Sequence, residues 1–392
     1  MLFRSYYRIN QKEGKFDYIT PKAPKGEKPY RFNWQTPILL SSHNQDILYM
    51  GSEFLHRSMN QGETWERISG DLTNGAKEGN VAFGTLTTIS ESKFQFGLLY
   101  AGSDDGKIHA SKDGGVSWQL ISGNLPQNLW VSRVVASSHK KERVYVTLNG
   151  YRNDNFESYA FVSEDFGATW TSISNGLTQA VNVIVEDSAN ENILYVGTDN
   201  GLFISVDKGA NWQDFSNGMP KVAIHDAVIQ TKAKELIVGT HGRSIYKMDI
   251  SKVQELTKDV LAKNLHLFKV NDRTKSERWG SQNYAWGKPS EPSQTIWFYS
   301  NADGIVNVSI TNEAGMLVHT QKVEAKKGLN SFAYDYLLSK EVAEKWNKKD
   351  KNIKIKEAEN KKFYLPVGKY KMTVSKDKVT ETKSFEVTAP KK

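Results

Sequence analysis

Carboxylate side chains suited to acid–base chemistry stand in two short glycine-bounded segments, GSDDG and GTDNG, and in one longer polar segment. They are Asp104, Asp105, Asp199 and Glu157. Glycoside hydrolysis needs two carboxylates that flank the scissile bond, close together for a covalent intermediate or farther apart to admit a water. An Asp beside Gly or Asn also forms turns. The sequence does not give the distances between these residues, so both interpretations stay open.

Arginine and tyrosine side chains form a second set. Arg133, Arg152 and Arg243 could clamp the carboxylate of an acidic substrate, with Tyr151 as nucleophile. His241 and Arg243 stand in GTHGRS. The alternative for this pair is structural, with Arg243 bonding the carbonyls of neighbouring loops.

Metal and cofactor chemistry finds little support. The chain has no cysteine, and its eight histidines show no His-Glu-x-x-His spacing. No glycine-rich segment has phosphate-binding form. The segment 153–155 offers oxygen ligands for Ca²⁺ but no regular ligand series. We therefore expect no cofactor and no metal site.

The positive charge is confined to one part of the chain. Of the 392 residues, 1–250 carry 25 basic and 27 acidic side chains, and 251–392 carry 27 and 17. The densest basic stretch, 345–362, has only Trp346 as an aromatic, whereas stacking on bases needs aromatics among the cations. We expect a solvated lysine-rich face and no nucleic-acid partner. No stretch is apolar for the roughly 20 residues that a membrane span needs, so no transmembrane segment is predicted.

These candidate residues must be positioned by a repeated element. Four segments share the form Ser-x-Asp/Asn-x-Gly-x-Thr/Ser/Asn-Trp, at spacings of 53, 52 and 42 residues. We call this segment the box. Its members are Ser58, Asn60, Gly62 and Trp65; Ser111, Asp113, Gly115 and Trp118; Ser163, Asp165, Gly167 and Trp170; and Ser205, Asp207, Gly209 and Trp212.

Each box is flanked by β-rich phrases, such as NILYVGT before it and WQDFS after it. A period of about 40 to 50 residues with four strands per unit is typical of β-propeller blades. We name the strands of a unit A to D, with the box in the C-to-D turn. A fifth unit, 222–250, repeats strands A to C without a box, and we expect its outer strand to come from elsewhere in the chain.

Structural roles are expected for the box residues. The Asp or Asn can accept backbone N–H bonds across the turn, the Ser hydroxyl can add another, and the Gly allows a positive φ. Each Trp is expected to be an apolar plug between sheets.

These repeats resemble the Asp-box (BNR repeat) β-propellers, which include sialidases, xyloglucanases and sortilin-type receptor ectodomains. RFNWQTPILLS and GTHGRSIY are similar to phrases of large secreted bacterial proteins labelled sortilin-like or glycosyl hydrolase. The resemblance covers about residues 28–250 and implies export. The sequence departs from the Asp-box pattern at Asn60 and Asn211. It also lacks the Arg-Ile-Pro signature of sialidases and the cysteine-rich module of animal sortilins. Because related propellers resemble rings of seven or ten blades, we expect further blades before residue 1; the alternative is a five-bladed ring closed by YYRINQK.

Four regions follow from these patterns. An N-terminal segment, 1–27, begins with five residues that we interpret as an artificial start; the propeller blades span 28–250. A linker helix at 251–264 and an irregular connection reach residue 292. Period-2 strands over 293–392 resemble an Ig-like β-sandwich, with a helical insertion at 337–352.

Function is expected on the propeller face that carries the B-to-C and D-to-A loops, around the central channel. There Asp104, Asp105, Tyr151, Arg152, Asp199, His241 and Arg243 are the binding candidates. Our first hypothesis is an exported protein that binds a glycan, peptide or protein on this face. The alternative is a glycoside hydrolase, either sialidase-like or xyloglucanase-like, that uses carboxylates of the same loops or of upstream blades.

Overall fold

The computed structural model describes residues 5–78, 82–282, 284, 286–350 and 353–390. It divides into two units, Met1–Gln254 and Glu255–Lys392. Within the described residues, no helix is both long and apolar enough to span a membrane.

The first unit contains four four-stranded antiparallel sheets, a three-stranded sheet and an N-terminal hairpin. The hairpin is β1 (Tyr7–Asn10) and β2 (Lys15–Tyr18). Blade one is β3 (Ile38–Leu40), β4 (Leu48–Gly51), β5 (Leu55–Ser58) and β6 (Glu66–Arg67). Blade two is β7 (Leu86–Glu91), β8 (Leu99–Ser103), β9 (Ile108–Ser111) and β10 (Gln119–Leu120). Blade three is β11 (Trp130–Ala136), β12 (Val144–Gly150), β13 (Asn155–Ser163) and β14 (Thr171–Ser172). Blade four is β15 (Val181–Glu186), β16 (Leu194–Thr198), β17 (Gly201–Ser205) and β18 (Gln213–Asp214). Blade five is β19 (Ile224–Gln230), β20 (Glu235–Thr240) and β21 (Ile245–Asp249).

Strand order within each blade follows the chain, as strands A, B, C and D. Strand B of blades one to four is buried along its whole length, because it packs against neighbours on both faces. The predicted all-β propeller of four-stranded blades is confirmed.

A tyrosine recurs at the same position of strand B in blades one to four. These residues are Tyr49, Tyr100, Tyr145 and Tyr195, and all are fully buried. Tyr49 donates to Glu91 of blade two at 3.0 Å, and Tyr145 donates to Glu186 of blade four at 3.0 Å. Buried hydroxyls therefore join neighbouring sheets where the next strand A ends in a glutamate.

Blade five ends differently from the others. Where the sequence predicts one helix at 251–264, the structure has two short helices, α1 (Ser251–Gln254) and α2 (Lys258–Leu261). The hydroxyl of Thr257 accepts a bond from Val260 N at 3.3 Å and begins α2 anew. Gln254 at the end of α1 donates to both carboxylate oxygens of Asp187, at 3.2 and 3.1 Å. Among the residues placed by the structure, no fourth strand pairs with β21.

The hairpin of β1 and β2 reproduces the outer half of a blade. Ile19 N donates to Tyr6 O at 2.9 Å, as Ile68 N donates to Leu55 O at 2.9 Å in blade one. Tyr6 N donates to Thr20 Oγ1 at 2.9 Å, and Leu55 N donates to Ser69 Oγ at 2.8 Å. The segment 6–20 thus corresponds to strands C and D of a blade that precedes blade one; we call it the half-blade.

Ion pairs repeat the same correspondence. Arg8 pairs with Asp17 at 2.9 Å, and Arg57 pairs with Glu66 at 2.9 Å. Arg8 also donates to Gln61 O of the following box, as Arg57 donates to Gly114 O. The half-blade therefore packs on blade one as blade one packs on blade two.

The second unit is a β-sandwich. Its strands and helix are β22 (Leu265–Leu267), β23 (Arg273–Thr274), β24 (Gln294–Ser300), β25 (Gly304–Asn312), β26 (Leu317–Ala325), β27 (Gly328–Tyr334), β28 (Leu337–Leu338), α3 (Lys340–Lys349), β29 (Phe363–Tyr364), β30 (Gly368–Lys376) and β31 (Val379–Thr388). One sheet has the order β22-β24-β27 and the other β23-β31-β30-β25-β26. Phe298, Ile310 and Met372 are fully buried in one core that the two sheets share. Helix α3 begins at the cap residue Ser339 and buries Ala343 and Trp346 against this core.

Candidate functional site

The box is a hydrogen-bonded turn in every copy. In blade three, Ser163 Oγ donates to Asp165 Oδ1 at 2.7 Å, and Gly167 N donates to Ser163 Oγ at 2.7 Å. Thr169 donates to Asp165 through its backbone N–H at 2.8 Å and through its hydroxyl at 2.6 Å. These bonds favour the carboxylate and lower the pKa of Asp165 to about 2. Because all of its bonds lie within the turn, Asp165 has a structural role.

The remaining boxes have the same arrangement. The Ser117 bonds likewise lower the pKa of Asp113 to about 2. In blade one Asn60 takes the place of the Asp and accepts from Thr64 N at 2.9 Å. In blade four Asn211 donates through its side chain to Asp207 at 2.8 Å, so the amide replaces the hydroxyl.

The box tryptophans bind the preceding unit. Trp118, Trp170 and Trp212 donate from Nε1 to the carbonyls of Ile68, Ile121 and Ile173, at 2.9, 2.8 and 2.6 Å. Trp65 donates in the same way to Ile19 O of the half-blade at 2.7 Å. The indoles are half-buried, so each is a hydrogen-bonded contact between blades and less enclosed than an apolar plug.

The box glycines make the approach of that isoleucine possible. Gly167 has φ of 90°, and a Cβ built there would lie 2.5 Å from Ile121 Cδ1. A side chain at this position would collide with the preceding unit.

Asp104 and Asp105 lie on the B-to-C turn of blade two, and both are buried. Asp104 accepts from Thr85 N at 3.0 Å, from Thr85 Oγ1 at 2.8 Å and from Asn33 Nδ2 at 3.1 Å. Its burial raises its pKa above the usual value. Asp105 accepts from Ser103 Oγ at 2.6 Å and from Asn74 N at 2.6 Å. The Ser103–Asp105 bond lies within the turn, as the turn-forming interpretation of GSDDG expects, whereas the other bonds join the turn to neighbouring segments.

Asp199 belongs to a chain of amides that crosses from blade three to blade four. Asn149 Nδ2 donates to Asn182 Oδ1 at 2.7 Å, and Asn182 Nδ2 donates to Asp199 Oδ1 at 2.8 Å. These two amide hydrogen bonds orient the carboxylate of Asp199, which lies just before β17.

His241 and Arg243 are exposed at the B-to-C turn of blade five. The ring of His241 lies 5.4 Å from that of His225, at 70°. Burial and the nearby His241 lower the pKa of His225. In the part of the chain that the structure describes, the Arg243 guanidinium makes no hydrogen bond to a neighbouring carbonyl, so the expected lock is not formed.

A Ser–His pair that the sequence analysis did not single out lies on blade one. Ser52 Oγ is 2.8 Å from His56 Nε2, and both side chains are buried. Burial lowers the pKa of His56 to about 4. The pair is closed to solvent, and the His56 ring packs against that of Tyr30 with centroids 4.6 Å apart and an angle of 48° between the planes. We therefore assign the pair a structural role.

The long B-to-C loop of blade three forms the wall of a cavity. Tyr151–Asn153 is a 3₁₀ turn, and Asp154 follows it with φ of 53°. The guanidinium of Arg152 lies 4.2 Å from the Trp130 ring centroid, a cation–π contact that holds the base of the loop. Asn153 Nδ2 adds a bond to Asn128 O at 2.9 Å.

The cavity has a volume of about 640 Å³. It is lined by Asp154, Asn155, Phe156, Glu157, Ser158, Leu177 and Thr178. Ser158 Oγ donates to Gln179 O at 2.6 Å and joins the loop to the connection between blades three and four. Of the candidates from sequence, Glu157 is in the lining, while Tyr151 and Arg152 lie in the preceding turn.

Asp154 and Thr178 were not among the binding candidates, although both lie in B-to-C and D-to-A loops of the face on which function was expected. The available signal was the length of NGYRNDNFES, since the corresponding turn of blade four is only Asp199 and Asn200. Within the described ranges, no three His, Asp or Glu side chains are grouped as a metal site would require.

Comparison with known proteins gives one family match. Residues 53–180 match the model of the family described as sortilin, neurotensin receptor 3. No curated protein matches.

Several solved structures are similar in fold. An ancestral GH74 enzyme is 16% identical, with a TM-score of 0.44 over 76% of this chain and 39% of its own. A GH74 xyloglucanase from Xanthomonas campestris is 11% identical, with a TM-score of 0.45 over 91% of this chain and 55% of its own. YCF48 bound to D1 peptide is 14% identical, with a TM-score of 0.41 over 60% of this chain and 68% of its own. The chain spans about two fifths of the length of the ancestral enzyme.

Boxes of this geometry occur in four successive four-stranded sheets, and the family match spans the boxes of blades one, two and three. The repeat region of this chain is a β-propeller, similar over residues 53–180 to the family described as sortilin, neurotensin receptor 3.

Proposed function

We propose that the propeller unit is a binding module that holds a peptide ligand in the cavity of blade three. The observation that carries this proposal is the cavity of about 640 Å³ between the loop 154–158 and residues 177–178. Ligand sites are typically clefts of about 300–1,000 Å³ that contain a few polar groups. The loop is anchored at its base by the Arg152–Trp130 contact, so the wall is held in place before a ligand arrives.

The lining favours a cationic group on the ligand. Asp154 and Glu157 are carboxylates, and the seven lining residues include no Lys or Arg. Phe156 is exposed and offers an apolar surface beside the two acids. A peptide with a lysine or arginine next to an apolar residue matches this combination better than an acidic sugar does.

The glycoside hydrolase alternative has less support. Asp104 and Asp105 are committed to buried bonds with neighbouring backbone and side chains. Asp154 and Glu157 are both exposed, whereas a catalytic acid needs an apolar enclosure to stay protonated. Glycan binding and hydrolysis are therefore outcomes to be tested, and peptide binding is the function that we propose.

Our expectation of export rests on the resemblance of the repeats to secreted propeller proteins. We propose that the protein acts outside the cytoplasm. Fractionation of the producing cells tests this, and recovery in the cytoplasmic fraction alone would contradict it.

The experiment is a binding screen of the full chain on a peptide array and a glycan array. We expect retention of peptides containing Lys or Arg, and at least a tenfold loss of affinity in the double variant D154N/E157Q. The matched control is E341Q/E344Q, which removes the same charge from exposed positions of α3. Equal binding by both double variants would overturn the peptide site. Release of reducing ends from a polysaccharide would favour the hydrolase.

A further inference from the structure

Strand C of blade three begins earlier than strand C of its neighbours. In blades one, two and four, the first residues of strand C that bond to the strand D segment are Leu55, Ile108 and Leu202. Each of them is the first or second residue of its strand. The equivalent residue of blade three is Ala160, but β13 already begins at Asn155. We call residues 155–159, which have no counterpart in the neighbouring strands, the overhang.

The outer edge of the overhang has no partner strand. β14 pairs with Phe161 and Val162, and the last bond from the strand D segment goes to Ala160 O at 2.9 Å. The N–H and C=O groups of alternate residues point to the same edge of an antiparallel strand, so those of Phe156 and Ser158 point the same way as those of Ala160. Within the described residues, no strand pairs with them on that side. They form an open sheet edge.

Pairing with strand B supports this orientation. On either side of Phe156 and Ser158, Asn155 pairs with Gly150 and Tyr159 pairs with Leu148 of β12. Residues next to a pair that bonds towards strand B direct their own backbone groups away from strand B. The two residues therefore offer two N–H and two C=O groups on the strand D side of the blade.

The cavity of blade three lies along this edge. Its lining includes Phe156, Glu157 and Ser158, whose side chains alternate between the two faces of the strand. A cavity over one face of the sheet would meet every second residue, whereas a cavity along the edge meets both sets. The opposite wall, Leu177 and Thr178, follows strand D in the chain. The cavity thus occupies the place that a longer strand D would fill.

We propose that the ligand is an extended peptide that binds as an added strand, hydrogen-bonded to the backbone of Phe156 and Ser158. This inference rests on the proposed function and states how the ligand is held there. In strand addition, main-chain bonds give affinity and alternate side chains give specificity. Blades two and four on either side are complete four-stranded sheets, so among the described residues no neighbouring blade supplies this strand.

The alternation of the overhang sets the order of side chains in the ligand. Cross-strand neighbours lie on the same face of a sheet. A Lys or Arg opposite Glu157 therefore lies on one face, and an apolar residue opposite Phe156 lies on the other. Successive residues of an extended peptide point to opposite faces. The cationic and the apolar residue are therefore adjacent in the ligand sequence, and a spacer of one residue weakens binding.

The first test uses two acetylated and amidated peptides of equal composition, Ser-Thr-Lys-Val-Thr-Ser and Ser-Lys-Thr-Val-Thr-Ser. Binding to the full chain is measured by titration. We expect the first peptide, in which Lys and Val are adjacent, to bind at least fivefold more tightly. Hydrogen exchange at the amides of Phe156 and Ser158 should slow when it binds.

The second test methylates each backbone nitrogen of the first peptide in turn, with the protein unchanged. An added strand donates from every second N–H to the edge that it joins. Methylation should therefore reduce affinity at least tenfold at alternate positions and less than twofold at the positions between them.

A protein variant tests the same edge from the other side. Ser158→Pro removes an outward N–H group, which proline cannot replace, and should lower affinity at least tenfold. The matched control is Lys247→Pro on β21, where the amide also points away from strand B and lies outside the cavity. This control should bind the peptide as the unaltered chain does.

The outcomes separate this inference from the proposed function. Peptide binding with equal losses at all methylated positions, or with no losses, would overturn strand addition and leave the peptide site in place. Tighter binding of the peptide with separated Lys and Val would overturn the order of side chains. If neither peptide binds and the peptide array also retains nothing, the proposed function fails, and this inference fails with it.

Discussion

The Tyr145 hydroxyl lies 3.0 Å from Glu186 Oε1, whereas the hydroxyl of Tyr100, at the same position one blade earlier, is buried without a partner among the described residues. The difference is at the end of the following strand A, where Ala136 stands in place of a glutamate. The chain thus contains both a paired and an unpaired version of the same buried tyrosine.

Replacement of the two tyrosines by phenylalanine should have different effects. Tyr145→Phe removes a hydrogen bond to a charged group and should lower the free energy of unfolding by about 1.5–3 kcal/mol. Tyr100→Phe removes a buried unpaired hydroxyl and should be neutral or stabilising. Chemical denaturation at pH 7 measures both. Equal losses in the two variants would contradict the pairing that we describe.

The box tryptophan should contribute through its indole N–H as well as its area. Trp170→Phe keeps most of the ring but loses the bond to Ile121 O, so we expect a loss of about 0.5–1.5 kcal/mol in the free energy of unfolding. Trp286→Phe is the control, since Trp286 is highly exposed and should show no change. A neutral Trp170→Phe would mean that the bond between blades contributes nothing to stability.

The box carboxylates should make the propeller sensitive to acid. The folded-state pKa values of Asp113 and Asp165 are about 2, below the value of about 3.9 for an unfolded Asp. A group whose pKa is lowered on folding stabilises the fold above its unfolded pKa and loses that contribution as pH falls through its folded pKa. The stabilisation should therefore be complete above pH 4 and disappear towards pH 2.

Asn60 provides a matched test of this loss of stability between pH 4 and pH 2. The variant D113N/D165N keeps the turn geometry that Asn60 shows in blade one, and should have a flatter dependence of Tm on pH between 4 and 2. Asn60→Asp should raise Tm at pH 7 and lose that gain over the same interval. If neither variant alters the dependence of Tm on pH between 4 and 2, that dependence arises outside the boxes.

Arg143 should contribute strongly to the stability of the fold, because its guanidinium neutralises the buried carboxylate of Glu186. Its Nη1 lies 3.4 Å from Glu186 Oε1 and 3.1 Å from Glu191 Oε2, and its Nε lies 2.7 Å from Glu164 Oε1. Arg143→Met leaves Glu186 buried without its cation and should lower the free energy of unfolding by about 3–5 kcal/mol. Lys208→Met removes the more exposed pair with Glu191 and should lower the free energy by less than about 1 kcal/mol. Glu186 also accepts hydrogen bonds from Tyr145, from the Ser137 hydroxyl and from Ser138 N. A small effect of Arg143→Met would show that these bonds satisfy Glu186 without the cation.

The repeats made the blades predictable because each box carries its own local chemistry. Ser, Asp, Gly and Trp at fixed spacing define one turn, and the structure forms that turn in every copy. The half-blade was not recognised because NQKEGKF lacks the Ser and the Trp, with Phe16 where Trp65 would align. The only sequence signal of the half-blade was FDYIT, which aligns with WERIS so that Ile19 corresponds to Ile68.

The cavity was harder to predict than the fold. The length of the loop after Asn149 was visible in the sequence, but its closure against Leu177 and Thr178 depends on how two blades meet. Asp104 shows the reverse case. Its position in a loop suggested chemistry, yet contact with Asn33, far away in the sequence, commits it to the scaffold.

Each box tryptophan binds the isoleucine of the unit before it, so blades one, two and three each carry a box for the preceding unit and an isoleucine for the following one. A copy of one of these three blades, inserted by duplication at any of the four box–isoleucine contacts, would find both halves of that contact already present. The array can therefore be lengthened without a new kind of interface between units. The same contact occurs four times, with distances of 2.6 to 2.9 Å between the tryptophan Nε1 and the isoleucine carbonyl oxygen.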